Sequence, residues 1–202
     1  MEYAKVIDLA LNVYRYGSDV YGTSQNKISD HDFIVIVPNE YIELDATQAE
    51  CENNQYSFYT KDTWQRKLDN NDVDAMETYF LPNQFVIKET IKFITEIKID
   101  KIRENFSRTA SNSFVKCKKK LTVQKDFAPR TGKKSLWHSM RILNFGIQIL
   151  KHGRILNYSS MNHLYEAIVG NESDDWEYYK RTYQGAYNAL KTEFRLSEKH
   201  GQ

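Results

Sequence analysis

The sequence predicts an α+β protein, with a small mixed β-sheet flanked by helices and an all-helical C-terminal half. The continuous apolar run at 33–37 is rich in β-branched residues, which is typical of a strand buried on both faces. Apolar residues recur at helical spacing through most of the chain after residue 61. The 202 residues are 41% hydrophobic and include only 3 Pro and 8 Gly, which excludes a disordered or collagen-like chain.

The first part of the chain predicts one helix and then three strands. The helix covers residues 2–13, where apolar side chains share one face. Residues 39–54 form a polar connection between the second strand and the third. The strands themselves are predicted at 13–16, 33–37 and 56–60.

The remaining chain predicts helices. Helical spacing starts at Asp62, and the Asn70-Asn71 pair divides it into two segments. Residues 85–120 form one or two further helices, and 122–134, with its Pro and Gly, is a loop. The clearest helix covers 135–152 and stops at Gly153. Residues beyond it are mostly helical, with a frayed tail at 199–202.

Charge is distributed very unevenly along a chain whose formal net charge is only +1. Residues 1–100 contain 9 Lys+Arg and 18 Asp+Glu, whereas 101–141 contain 12 and 2. A polyphosphate-handling protein would use carboxylates for divalent cations and a basic segment for phosphate oxygens. Charged surfaces that only solvate the fold and pair with each other explain the same pattern equally well.

The sequence also predicts the domain organisation of the protein and its cellular compartment. We expect two domains, an α/β core at 1–85 and a helical domain at 86–202. The two cysteines form no CxxC pair, so a reduced protein without a zinc site is expected. Neither a signal peptide nor a run of 18 apolar residues is present, so we expect a cytoplasmic protein without a membrane partner.

One cluster of residues suggests chemistry. Asp30 and Asp32 lie two positions apart at the start of the 33–37 strand, so both carboxylates point to the same side. Two such carboxylates repel unless they share a proton or a cation, and Mg²⁺ is a common solution. Gly17-Ser18 supplies flexible backbone amides and a hydroxyl to a nearby phosphate. A turn with a strand cap is the structural alternative for the aspartates, as a helix N-cap is for Ser18.

The segment YGSDVYGTSQNKISDHDFIVIV resembles the G-S…D-x-D signature of the polymerase-β-type nucleotidyltransferase superfamily. More narrowly, it is similar to the branch associated with bacterial and phage RNA repair. Tyr59 and Trp64, then Glu77 and the Phe-Leu-Pro at 80–82, resemble later parts of that branch. The segment 133–141, KKSLWHSMR, resembles its K-K-x-x-x-H-x-x-R helix.

The resemblance implies a Mg²⁺- or Mn²⁺-dependent transfer of a nucleoside monophosphate from an NTP to a hydroxyl acceptor. We expect ATP as the NTP and an RNA, such as a tRNA end or an RNA under repair, as the acceptor. Asp30 and Asp32 would be catalytic and hold the metal. The residues implied for nucleotide and phosphate binding are Gly17, Ser18, Lys134, His138 and Arg141. The basic stretch 116–134 would contact RNA, although a merely solvated surface explains its lysines as well.

One position departs from the family pattern. The third carboxylate of the family aligns with Gln55, which supplies no charge and cannot act as a general base. Glu50 or Glu52 replaces it if the strand starts earlier or the loop folds back, with Glu52 as a further metal ligand. If neither does, the chain is a weakened enzyme or a nucleotide- and RNA-binding protein. Transfer to a protein hydroxyl, as in toxin-like transferases, is a third hypothesis.

For two other residues, the sequence is consistent with both a structural role and a role in the site. Glu77 lies within an apolar helical pattern, where a salt bridge to a nearby Lys or Arg competes with a role in the site. His138 alone would be a packed or solvated histidine, but it shares a helical face with Lys134 and Arg141.

Overall fold

A computed structural model describes residues 8–24, 31–51 and 53–197. The chain divides into two compact units, Met1–Ile97 and Lys98–Gln202. The boundary expected from the sequence, at residue 85, would detach the last strand from its sheet. We call the first unit the sheet unit and the second the helical unit.

The sheet unit contains a five-stranded mixed sheet with the order β3-β4-β2-β1-β5. The predicted α+β class is therefore confirmed. β2 runs parallel to β4, whereas the other neighbouring pairs are antiparallel. The strands are β1 (Asn12–Tyr16), β2 (His31–Val37), β3 (Thr47–Cys51), β4 (Asn54–Thr60) and β5 (Val86–Glu89).

Three of these strands match the predictions, and the apolar run at 33–37 is central as expected. Ile34–Val37 is buried along its whole length, because each face of the sheet has its own core. Val35 packs with Val13 and Phe58 on one face. Ile34 packs with Tyr14 and Trp64 on the other, which we call the Tyr14 face.

Two strands were missed by the sequence analysis. β3 lies within the segment predicted as a polar connection, and β5 lies where a helix was predicted. Both are short edge strands with largely exposed side chains, so no apolar pattern marks them. Asn12 holds the chain beyond β5 in place: it accepts hydrogen bonds from the amides of Thr90 and Ile91 and donates one to the Ile91 carbonyl. The predicted first helix is also wrong at its end, because Asn12 and Val13 belong to β1.

The described α-helices of the sheet unit include α1 (Ser18–Tyr21), α2 (Lys61–Asp69) and α3 (Val73–Tyr79). Two of them, α2 and α3, follow the predicted pattern, whereas α1 lies where no helix was predicted. The Asn70-Asn71 pair separates α2 from α3 as predicted, and Asn71 has a positive φ of 51°. The Thr60 hydroxyl caps the start of α2 by accepting from the Thr63 amide.

The helical unit consists of α4 (Ile99–Thr122), α5 (Pro129–His152), α6 (Asn162–Val169) and α7 (Trp176–Leu196). The loop predicted at 122–134 is shorter than expected, because Pro129 occupies the first turn of α5, where it needs no hydrogen-bond donor. Gly153 ends α5 as predicted, with a φ of 71°. No helix in the ranges given above is long and apolar enough to cross a membrane. The predicted frayed tail at 199–202 lies outside them.

Candidate functional site

The turn after β1 is built around Gly17 and the carboxylate of Asp32. The pairing of β1 with β2 places Tyr16 opposite Asp32. Gly17 follows with a φ of 69°, and a Cβ built on it would lie 1.9 Å from Oδ2 of Asp32. Any side chain here would collide with the carboxylate, so only glycine permits this approach. The structure therefore brings together two of the site residues predicted from the sequence.

Ser18 is the first residue of α1 rather than its N-cap, which corrects the structural alternative for this residue. Gly17 is the N-cap, and its carbonyl accepts from the amides of Val20 and Tyr21 at 3.1 and 3.2 Å. Ser18 is half-buried, and its hydroxyl forms no hydrogen bond with any residue in the described ranges. It is therefore accessible to a ligand at the turn.

A row of polar residues crosses the sheet on the Tyr14 face. The strand register aligns Tyr16 with Asp32, Asp32 with Gln55 and Gln55 with Glu50. Residues paired in this way point to the same face of a sheet. Because adjacent strands are about 4.8 Å apart, Glu50 lies roughly 10 Å from Asp32 across the sheet, with Gln55 between them.

This row clarifies the position of the missing third carboxylate. Gln55 occupies the place directly beside Asp32, and an amide oxygen is of the type that can coordinate a metal ion without adding charge. Glu50 is exposed on the edge strand, one strand further away. Asp30 and Glu52, the other two predicted ligands, lie outside the described residues.

A triad of ionisable side chains lies on the other side of the turn. Asp19, the second residue of α1, accepts from Nη1 of Arg15 at 2.8 Å, and its Oδ2 lies 2.7 Å from Nδ1 of His31. Arg15 and His31 belong to adjacent antiparallel strands, and Asp19 links them. The triad fixes α1 against β1 and β2, and hence fixes the turn itself. Sequence analysis missed it, although Asp19 directly follows the predicted Gly-Ser pair.

Glu77 of α3 is fully buried and bound by two tyrosines of the turn region. Tyr16 and Tyr21 donate their hydroxyls to the same oxygen, Oε2, at 2.8 and 2.5 Å. The sequence analysis had considered a lysine or arginine as the partner. Tyrosine hydroxyls stabilise a buried carboxylate without adding charge. Glu77 therefore ties α3 to the turn that carries Gly17.

A cavity of about 600 Å³ opens on the Tyr14 face of the sheet unit. Its walls include the aromatic rings of Tyr14, Trp64, Tyr79 and Phe93. Glu89 and Lys92 contribute one charge of each sign at its rim. Polar groups contribute most of the lining beside these rings, and the volume is usual for small-molecule sites. Tyr14 is two residues before Tyr16 on the same strand, so the cavity lies beside the polar row.

Lys134, His138 and Arg141 lie on α5 in the helical unit, on one face as predicted. Lys134 is exposed, whereas Arg141 is fully buried, with its guanidinium 4.8 Å from the ring centre of Phe145. Nη2 of Arg141 lies 2.8 Å from Nδ1 of His138, so that nitrogen accepts the hydrogen bond. Burial, Arg141 and Lys116 hold the pKa of His138 well below 6.5, and the imidazole is neutral.

The basic stretch 116–134 is only partly available for binding. Lys119 pairs with Asp126 at 3.0 Å. Lys133 is buried and contacts the Asn171 carbonyl and Asp174, both at 2.7 Å. The neighbouring Lys118, Lys125 and Arg130 are exposed.

The oxygen donors of the polar row fit a hard cation. Asp32 and Gln55 offer a carboxylate and an amide oxygen from adjacent strands, the ligand types that Mg²⁺ prefers. Among the described residues, no group of three His, Cys, Asp or Glu side chains is placed to hold a metal ion.

Neither a family model nor a curated protein matches the chain.

Proposed function

We propose that this protein is a magnesium-dependent nucleotidyltransferase that moves a nucleoside monophosphate from an NTP, such as ATP, to a hydroxyl of RNA. One observation carries the proposal: the carboxylate of Asp32 lies against the backbone of Gly17, at a position where no side chain fits. An enzyme of this kind must hold a metal ligand and a triphosphate in contact with each other. The Gly-Ser turn offers backbone amides and a hydroxyl to the triphosphate, and Asp32 beside it offers a carboxylate to the metal.

The residues of the sheet unit take distinct roles in this proposal. Asp32, together with Asp30, holds the cation, and Gln55 adds a neutral oxygen. Gly17 and Ser18 bind phosphate oxygens through the backbone and the free hydroxyl. Bound Mg²⁺ supplies activation of the attacking hydroxyl and neutralisation of the leaving pyrophosphate. The acceptor oxygen bonds to the α-phosphorus as the bond to the β-phosphate oxygen breaks, and the hydroxyl proton is lost to solvent.

In the helical unit, Lys134 is exposed, and its ammonium group is therefore available to a phosphate oxygen. The neutral His138 accepts from Arg141, so it orients the guanidinium and adds no charge of its own. The cavity beside Tyr14 has aromatic walls on which a nucleobase can stack.

An Asp32→Asn variant tests the proposal, because it removes the charge and keeps the shape. Transfer of label from α-³²P-ATP to RNA should fall by at least about 100-fold. Asp62→Asn is the matched control, since Asp62 is exposed in the first turn of α2. Transfer at the wild-type rate by the Asp32 variant would refute the assignment.

A second function, nucleotide binding without turnover, is favoured by Gln55 beside Asp32. A neutral ligand there weakens cation binding and removes a general base. Calorimetry with Mg·ATP, followed by a pyrophosphate assay, separates the two functions. Tight binding without pyrophosphate release supports the second, and release excludes it. A gain of transfer in Gln55→Glu would show that this position limits the chemistry.

A further inference from the structure

A groove in the helical unit lies between α4 and α7, away from the residues discussed so far. It encloses about 320 Å³. Its walls carry three cations and three neutral polar side chains, which are Arg103, Lys191, Arg195, Ser107, Asn188 and Thr192. Among the described residues, its lining contains no carboxylate. Three cations without a carboxylate favour an anionic ligand.

The helical periodicity explains why these residues converge. Asn188, Lys191, Thr192 and Arg195 have the spacing i, i+3, i+4 and i+7, so they form one stripe along α7. Arg103 and Ser107 are four residues apart on the facing side of α4. The floor between the stripes is Phe194, which is only 2% exposed and packs against Phe106.

No described residue neutralises the positive charge of this groove by an ion pair. Within the part of the chain that the structure describes, Arg103, Lys191 and Arg195 form no ion pair with a carboxylate. Glu193 is next to the stripe but pairs with Lys151 at 2.7 Å. Nη2 of Arg103 donates to the Ser197 carbonyl, whereas its buried Nε has no hydrogen-bond partner among the described residues. The helical unit as a whole carries 20 Lys+Arg against 10 Asp+Glu.

We propose that this groove, which we call the α4–α7 groove, binds phosphate groups of a single-stranded RNA backbone. Three cations with hydroxyl and amide donors match the oxygens of phosphodiesters. The two aromatic rings nearby, Phe194 and Tyr187, are buried, so neither presents a face for stacking a base. Binding is therefore to the backbone and independent of sequence, rather than to an individual nucleotide.

The assignment of the groove as a phosphate site stands without the transfer reaction. Its identification as a contact for the acceptor RNA rests on the proposed function. The groove also differs from the basic stretch 116–134, because its residues lie at 103–107 and 188–195.

The test measures the binding of a fluorescein-labelled single-stranded RNA of about 12 nucleotides by fluorescence anisotropy, in the absence of Mg²⁺ and NTP. Because no turnover is involved, failure here is distinguishable from failure of the transferase proposal. A Lys191→Gln/Arg195→Gln variant should bind about 20-fold more weakly at 0.1 M salt. The slope of log K against log salt should fall by about 1.4, for two lost contacts to a single strand.

The matched control is Lys101→Gln/Arg108→Gln, which removes the same charge from α4. These residues pair with Glu104 on the opposite side of that helix. The control variant should keep most of the affinity for RNA. A loss of affinity that came only from the lower net charge would be equal in both variants, so a larger loss in the groove variant reports contacts in the groove. A second set of measurements uses tripolyphosphate in place of RNA. If the groove were a site for free polyphosphate, the groove variant would lose affinity for tripolyphosphate and keep its affinity for RNA. If the groove variant keeps the affinity and salt slope of the control for RNA, the proposal is overturned.

Discussion

At the scale of single residues, the turn after β1 depends on one glycine and one carboxylate. Gly17 has a positive φ and no space for a Cβ, because Oδ2 of Asp32 occupies that position. The G-S…D-x-D motif in the sequence predicted that these residues belong to one site. It gave no indication that the carboxylate and the turn are in direct contact, since the strand register that joins them is a tertiary property.

Gly17→Ala should lower the free energy of unfolding by more than the 1–2 kcal/mol or so that a left-handed alanine costs. Gly153→Ala is the control, because its φ is 71° and nothing lies within 4 Å of its Cβ position. Calorimetric unfolding of both variants measures the difference. An Asp32→Gly substitution added to Gly17→Ala should restore most of the excess loss. Equal losses in the two glycine variants would contradict the close contact.

The buried carboxylate of Glu77 gives a second prediction at this scale. Tyr21→Phe removes a hydrogen bond to the buried carboxyl group of Glu77 and should lower the free energy of unfolding by about 1–3 kcal/mol. Tyr79→Phe is the control, because that ring is 40% exposed. A double-mutant cycle of Tyr21→Phe with Glu77→Gln isolates the coupling. A coupling near zero would show that Tyr21 does not stabilise Glu77.

At the scale of elements, the predictable segments are those with a strong apolar period. β2 and α5 were recognised because burial requires such a pattern on one or both faces. β3 and β5 lack the pattern because edge strands are exposed, and their backbone pairing alone makes them strands. The start of α5 was missed because Pro129, usually a helix breaker, is favourable in the first turn.

Packing of α5 against α7 depends on Gly146. A Cβ there would lie 2.5 Å from Cε2 of the buried Phe194. Gly146→Ala gains about 1 kcal/mol of helix propensity but costs about 1–3 kcal/mol through overpacking, so net destabilisation is expected. Gly185→Ala in α7 meets no atom within 4 Å and should stabilise the protein. Chemical denaturation of the two variants checks the opposite signs. If both variants were more stable than the unmodified protein, Phe194 would be able to move away from a Cβ at position 146 at little cost.

At the scale of the whole molecule, the two compact units carry opposite charge. The sheet unit has 8 Lys+Arg against 17 Asp+Glu, and the helical unit has 20 against 10. The near-neutral total therefore conceals two very different surfaces. Under the proposal for the α4–α7 groove, the charge of the helical unit would attract a polyanionic RNA. The acidic sheet unit is suited to a cation.

Stability of the molecule should depend on the protonation of His138. Its pKa in the folded chain is well below 6.5, so below that pH the unfolded chain binds a proton that the folded chain does not. The free energy of unfolding should thus fall by up to about 1.4 kcal/mol per pH unit as the pH drops below 6.5. Urea unfolding between pH 7 and 5 measures this. His138→Gln keeps an acceptor for Arg141 and should show a shallower decline; an identical decline would contradict the pKa shift.

The sequence by itself determined the α+β class, the central strand, the major helices and the Gly17–Asp32 motif. Each of these is encoded locally, by apolar period or by residues that only special backbone positions require. The tertiary structure alone decided that Gln55 stands between Asp32 and Glu50, that two tyrosines bind Glu77, and that Arg103 faces Lys191. These contacts join residues far apart in the chain, and their positions follow from strand register and helix packing rather than from local pattern.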